Sequence, residues 1–182
     1  MPEQLTKRFE YRRCDITTLA VDAIVNAANP HLWGGAGVDA AIHTAAGPEL
    51  YQACKKIGWC DYGSAVITPG FKLPAKFVIH TVGPIYVDGH HGEALLLHHA
   101  YQNSLRRAEE NNLKSIAFPT ISSGFYGYPN RAAALVALAA VKEYFEQNPQ
   151  SVVTHVIFTI YGEEDWEIYE REFSKYFDQR IL

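Results

Sequence analysis

Short apolar, β-branched runs alternate with helix-period patterns along nearly the whole chain, and this alternation restricts the fold more than any other feature. Strand-like runs stand at 9–14, 21–26, 64–68, 76–82, 115–119 and 152–161. Most are apolar at consecutive positions, as in strands buried on both faces. Helical patterns fill the gaps at 38–46, 49–57, 93–110, 131–147 and 164–177. In the last of these Trp166, Tyr169, Phe173 and Phe177 share one face, with Glu167, Glu170 and Arg171 elsewhere, so the aromatic stripe reads as core. Alternation of this kind predicts an α/β protein with helices on both faces of one sheet, the weak run at 9–14 completing it. No linker, repeat or low-complexity stretch interrupts the pattern, so residues 1–182 are read as a single domain, long enough to bury a core without staples.

Charge narrows the partners. Sixteen basic residues against twenty acidic ones give a net charge of −4, with no basic run to grip duplex nucleic acid or an anionic membrane. The longest apolar run, 132–141, falls short of the roughly 20 residues that cross a bilayer. The polar stretch 1–13 and three cysteines without a CxxC pair lead to the expectation of a cytoplasmic protein with reduced thiols.

Ligands of open α/β sheets gather at the carboxyl ends of strands. Two loops there carry glycines. The first runs from Asn26 through Asn29-Pro30 and Gly34-Gly35-Ala36-Gly37 to Val38-Asp39, where a helix opens. Its backbone N–H groups and the helix N-terminus suit an anion, while a plain tight turn is the structural alternative. The stretch 35–40 fits GxGxxG/A but begins about eight residues after its strand, with no acid near twenty positions on, which argues against a nicotinamide site. The second loop, 120–129, repeats the plan of strand, glycines and helix. Its Tyr126 and Tyr128 either cover a sugar or base or anchor the loop. Asp39 in a first helical turn either complements the helix dipole or orients a water. Asn29 suits a ribose hydroxyl, or serves as a turn residue before proline.

These residues resemble the macrodomains, and among them the MacroD-type ADP-ribosyl hydrolases and deacetylases. The likeness runs through Asp15-Ile-Thr17, the stretches 21–29 and 34–47, Leu73-Pro-Ala-Lys76, 78–84 and 118–129, in the family's order. It implies a three-layer α/β/α sandwich around a mixed, mostly six-stranded sheet, with a cleft for ADP-ribose. By motif, Asp15 accepts from the adenine amino group, Ile16 lines that end and Tyr161 stacks on the base. Gly35, Ala36, Gly37 and Val38 serve one side of the diphosphate. Ser122, Ser123, Gly124, Phe125 and Tyr126 serve the other side and the distal ribose. Asn26 counts among the substrate-binding residues, and Asn29 and Asp39 form the catalytic pair. The chain departs from the family pattern at Cys14, Ala36, Ala40 and Thr44, and at Gly162 where an acid usually follows Tyr161. If Ala36 had to take positive φ, its Cβ would cost about 1 kcal/mol relative to glycine.

The resemblance implies a metal-independent hydrolase without a cofactor; the sequence does not reveal the oligomeric state, and a monomer is the expectation. Its substrates would be proteins carrying mono-ADP-ribose on Asp or Glu, and O-acetyl-ADP-ribose. A reader module that binds ADP-ribose without cleaving it is the alternative. A metal hydrolase would draw on His90-His91, His98-His99, Cys54 and Cys60, which form no spaced ligand set. Single-stranded RNA or poly-ADP-ribose binding lacks an extended basic groove. His43 and His80, inside helix and strand patterns, read as structural.

Overall fold

The computed structural model describes residues 6–178. Six strands, β1 (Arg8–Arg13), β2 (Ala23–Ala27), β3 (Ala65–Pro69), β4 (Phe77–Thr81), β5 (Ser115–Phe118) and β6 (His155–Ile160), lie in the order β1-β6-β5-β2-β4-β3. All neighbours are parallel except β3, which runs against β4, so the sheet is mixed as expected. Five helices connect them: α1 (Val38–Ala46), α2 (Pro48–Ile57), α3 (Glu93–Glu110), α4 (Asn130–Gln147) and α5 (Glu163–Glu172).

Period-two alternation along the strands divides the core into two layers. Val25, Ile79, Ile116, Phe118, Val156 and Phe158 face α3, α4 and α5. The intervening Ile24, Val78, Ala117 and Ile157 face α1 and α2, where Ile42, Ala46, Leu50 and Cys54 meet them. This is a three-layer α/β/α sandwich. The aromatic stripe is core: Phe158 lies 5.7 Å from Tyr169 and 6.1 Å from Phe173 between ring centroids, and Phe177 stacks on Phe9 at 4.3 Å. Losing one such ring to alanine costs about 3–5 kcal/mol.

Two boundaries differ from the sequence reading. The helix expected over 164–177 ends at Glu172 and tightens into a 3-10 turn, Phe173–Lys175, which turns Phe173 and Phe177 onto each other at 5.2 Å. The strand expected from 152 begins at His155. The preceding residues are held by side chains instead: Glu109 accepts from Val152 N at 3.0 Å, and Lys7 Nζ donates to Val153 O at 3.0 Å. At the edge, β1 alternates Arg8, Glu10 and Arg12 outward with Phe9 and Tyr11 inward, a charged border that discourages further strand pairing.

Candidate active site

Five parallel strands end at the same side of the sheet, and their following loops form a row. Pairing of Arg13 with Ile160 puts Asp15 and Tyr161 side by side beyond β1 and β6. Asp15 is exposed, and its Oδ1 accepts from Thr17 N at 2.9 Å and Thr17 Oγ1 at 2.7 Å. Its Oδ2 has no partner among the described residues and remains able to accept. Tyr161 is 91% exposed. Ile16 instead belongs mostly to the core with Leu19 and Ile24, leaving little side chain for a ligand.

The loop after β2 converges on Gly35. Its N–H donates to Asp39 Oδ2 at 2.6 Å. A Cβ built at Gly35 would lie 3.3 Å from Asp39 Oδ2 and 3.5 Å from Asn29 Nδ2, so the absence of a side chain lets both functional groups close on this backbone. Positive φ falls on Gly34 and Gly37 and not on Ala36, so the anticipated cost of alanine does not arise. Gly37 is the N-cap of α1 and offers no side chain to the first-turn N–H groups, which leaves them available to an anion.

Asp39 is 3% exposed, and the chain that fixes it runs through the sheet. Asn26 Nδ2 donates to Asp39 Oδ1 at 2.7 Å and reaches His80 Nδ1 at 3.2 Å. Both hydrogens of that amide are therefore used, which makes His80 Nδ1 an acceptor and puts the ring hydrogen on Nε2, 2.9 Å from Thr68 Oγ1. Flipping the amide would turn its oxygen toward the carboxylate. Burial, and secondarily His43, push His80 down to about 3, so the ring is neutral. Asn26 is 0% exposed, which corrects the expectation that it touches substrate: it positions Asp39 from behind. His43 Nε2 lies 3.5 Å from Asp39 Oδ1, and Cys54 Sγ lies 3.7 Å from His80 Nε2. Burial and then the Asp39 charge push the Cys54 thiol up to about 12, so it remains protonated. His43, Cys54 and His80 form a possible ligand group, but both nitrogens of His80 are already engaged by Asn26 and Thr68. The three cysteines are free thiols.

The histidines named for a metal hydrolase do not converge. His91 pairs with Asp88 at 2.8 Å, and His98 pairs with Glu143 at 2.8 Å on another face.

The loop after β5 works mainly through backbone. Ser122 takes φ +65° and is 7% exposed, and a Cβ at Gly83 would meet its Oγ at 2.2 Å. Gly83 was not singled out from sequence; the Gly83-Pro84 pair directly after a buried strand was the available signal. Tyr128 is buried against Tyr86 at 4.8 Å and anchors the loop. Tyr126 is half-buried, and burial, then neighbouring Tyr62 and Asp39, push its phenol up. Ser123 is half-buried, Gly124 is exposed and Phe125 is 96% exposed. Asn26, Thr68 and His80 show what signal marked the missed network: polar residues inside otherwise apolar buried strands must find partners.

Fold and site together define a doubly wound α/β protein with two glycine loops side by side, after the neighbouring strands β2 and β5, at the carboxyl edge of its sheet. The family model for the Macro domain matches residues 25–137, and the chain belongs to that family. It is 48% identical over 180 residues to mouse ADP-ribose glycohydrolase MACROD2, covering 97% of this chain and 37% of that protein. The chain thus spans little more than a third of the mouse protein. It is 53% identical over 169 residues to the O-acetyl-ADP-ribose deacetylase of Citrobacter rodentium, covering 91% of this chain and 94% of that one. The Oceanobacillus iheyensis macrodomain with ADP superposes with a TM-score of 0.85 at 40% identity, covering 91% of this chain and 89% of that one. A Trypanosoma brucei macrodomain in complex with ADP-ribose gives 0.84 at 35% identity, covering 93% and 71%.

Proposed function

We propose that the chain binds ADP-ribose conjugates and hydrolyses them, releasing mono-ADP-ribose from Asp or Glu side chains of proteins and acetate from O-acetyl-ADP-ribose. The base sits at the β1/β6 end, its amino group donating to Asp15 and its face against Tyr161. The diphosphate lies between N–H groups of Ala36, Gly37 and Val38 on one side and of Ser122, Ser123, Gly124, Phe125 and Tyr126 on the other, while the N–H of Gly35, expected from sequence to join the first set, stays on Asp39. The distal ribose reaches Asn29, whose amide orients its hydroxyls. Asp39 accepts a hydrogen bond from the attacking water, whose oxygen bonds to the reacting carbon as the bond to the leaving oxygen breaks, one water proton passing to that oxygen. Positioning, with water as the only co-substrate, supplies most of the rate. No metal ion or cofactor has a part in this route.

The observation that carries the reading is the buried Asp39 carboxylate, fixed at 2.7 Å by Asn26 and at 2.6 Å by Gly35 N beside Asn29. A bare binding module has little use for a carboxylate immobilised next to an anion site. The test is turnover of Asp/Glu-linked, Ser-linked and Arg-linked ADP-ribosylated proteins and of O-acetyl-ADP-ribose by wild type and Asp39→Ala. Release from the acidic linkage by wild type alone supports the hydrolase. Tight binding with no turnover supports the reader. Free thiols at Cys14, Cys54 and Cys60 suit a reducing compartment, which we take to be the cytoplasm, and no helix among the described residues is long and apolar enough to cross a membrane.

A further inference from the structure

The strand order sets the order of loops along the cleft. Asp15 and Tyr161 stand beyond β1 and β6, the second glycine loop beyond β5, and the first beyond β2. A ligand laid along that row from the base end arrives at Asn29 and Asp39 with two strands, β4 and β3, still ahead. Because β3 runs antiparallel, the segment leading into it lies at the same end of the sheet.

On that segment and its neighbour the surface changes character. Trp33 is 59% exposed, Trp59 49% and Tyr62 40%. His31 stacks on Trp33 at 4.6 Å between ring centroids and meets Trp59 edge-on at 4.9 Å. Cys60 N donates to Pro30 O at 2.9 Å, which ties the two segments together. Trp59 Nε1 donates to Asp61 Oδ1 at 2.6 Å, which fixes the indole. Trp33 is two residues from Gly35, whose N–H holds Asp39, so its Cα lies within about 7 Å of Gly35 Cα. His31, Trp33 and Trp59 are thus contiguous, with Tyr62 exposed nearby on the same segment as Trp59, and Trp33 stands close along the chain to the backbone that holds Asp39. Exposed aromatic surface of this kind, already ordered, is what a polypeptide partner exploits at low entropic cost.

We infer that this aromatic ledge is an acceptor subsite, which receives the polypeptide segment flanking the modified Asp or Glu once ADP-ribose is seated. The inference rests on the hydrolase reading above. ADP-ribose occupies the cleft from the β1/β6 end to Asp39, so the group bonded to its distal ribose is directed onward, where the ledge begins. An acetyl group is too short to reach it. A protein acceptor has to cross it, laying peptide planes and the stems of neighbouring side chains on the indole faces, with cation–π contact where a Lys or Arg flanks the modified residue. The ledge therefore separates the two substrate classes that share one cleft.

The experiment compares wild type, Trp33→Ala, Trp59→Ala and the double variant on a protein ADP-ribosylated at Asp or Glu and on O-acetyl-ADP-ribose. Each tryptophan lost should lower kcat/KM for the protein substrate by about tenfold, leaving O-acetyl-ADP-ribose turnover within about twofold of wild type. Calorimetry in the Asp39→Ala background, where the linkage survives the titration, supplies a second reading: the chain with both tryptophans should bind the modified protein more tightly than free ADP-ribose, and the chain lacking both should bind the two alike. Thermal melting and the Trp33→Phe variant, which retains a ring, check that the loop still folds. Equal losses on both substrates would show that the tryptophans merely shape the loop, and undiminished protein turnover would show that the ledge is idle. A wild-type chain whose mass depends on concentration, and whose variant does not self-associate, would make the ledge a self-association surface. Any of these three outcomes overturns the inference. If wild type turns over neither substrate, the hydrolase reading fails while the calorimetry still decides the ledge.

Discussion

Two loops of the same plan, strand then glycines then helix, stand side by side, yet they are stabilised differently. The loop after β2 leans on buried side chains: Gly35 closes on Asp39, and Asn26, His80 and Thr68 extend the chain of hydrogen bonds to the far strand. The loop after β5 leans on its own backbone, with Tyr128 N donating to Ser122 O at 2.9 Å, Gly127 N to Gly124 O at 3.0 Å, and Phe125 left in solvent. The first arrangement fixes a single carboxylate by a hydrogen bond to each of its oxygens. The second presents N–H groups and an exposed ring. Under the proposed function both loops offer N–H groups to the ligand, the catalytic group belongs to the first alone, and the second contributes to affinity only.

Replacement of the carboxylate gives the largest break in that division. Asp39→Ala should lower kcat on the acidic-linkage substrate by about tenfold or more, with ADP-ribose affinity by calorimetry changed by less than about threefold. If affinity collapses together with rate, Asp39 is a binding residue and the division fails.

One layer deeper, Asn26→Leu leaves Asp39 Oδ1 and His80 Nδ1 without their donor. Loss of a buried hydrogen bond to a charged group should cost about 1.5–3 kcal/mol in urea unfolding. The freed carboxylate should lower kcat by roughly tenfold through misplacement. A stability loss with unchanged kcat would mean that the amide holds the sheet and not the catalytic group.

The same network has a signature in pH. His80 titrates at about 3 in the folded protein and near its ordinary value of 6.5 when unfolded, so between those values the unfolded chain binds the extra proton. Stability contributed by the neutral ring is fully present above pH 6.5 and declines as pH falls toward about 3, by up to about 1.4 kcal/mol per pH unit. His80→Gln should flatten that part of the profile in urea titrations at stepped pH. An unaltered slope would place the acid sensitivity elsewhere. The second loop, 120–129, contains tyrosines but no histidine or carboxylate, so Ser122 and Phe125 variants should retain the wild-type slope.

Sequence carried the architecture and the outline of the site because both are written in local signals. Period and punctuation place α1 and α3 on the observed residues, with Gly47 and Pro48 parting α1 from α2. Asn29, Gly35 and Asp39 fall within eleven consecutive residues, so one window holds them. Asn26, Thr68 and His80 belong to three strands, and their meeting depends on register, on Asn26 lying opposite His80 across the β2–β4 pair. No window of the sequence spans that distance. The aromatic ledge was hidden for the same reason, because its two halves meet through Cys60 N and Pro30 O. Conversely, Ile16 follows Asp15 directly in the motif but turns into the core, since adjacent residues of a tight turn face different ways.

On the second loop, Phe125→Ala should weaken ADP-ribose binding by roughly threefold to tenfold, the worth of one aromatic contact. Saturating kcat should stay near wild type. A fall in kcat with unchanged affinity would give the second loop a part in catalysis and merge the two roles.

The smallest effect expected comes from salt, and it probes what both loops share. No Lys or Arg occurs between Cys14 and Cys54 or between Ser115 and Asn130. The nearest cations along the chain are engaged elsewhere: Arg13 pairs with Glu163 at 3.0 Å and lies over Trp166, and Arg131 pairs with Glu172 at 3.2 Å. A diphosphate between these loops is therefore held by neutral N–H dipoles and helix N-termini, in a chain whose net charge is itself −4. Dipoles act within the first turn, at contact range, where mobile ions screen little. ADP-ribose affinity should change by less than about threefold between low and high salt. A steep fall would mean that a side-chain cation swings into the cleft on binding, and the contrast between the loops would then lie in which of them it approaches.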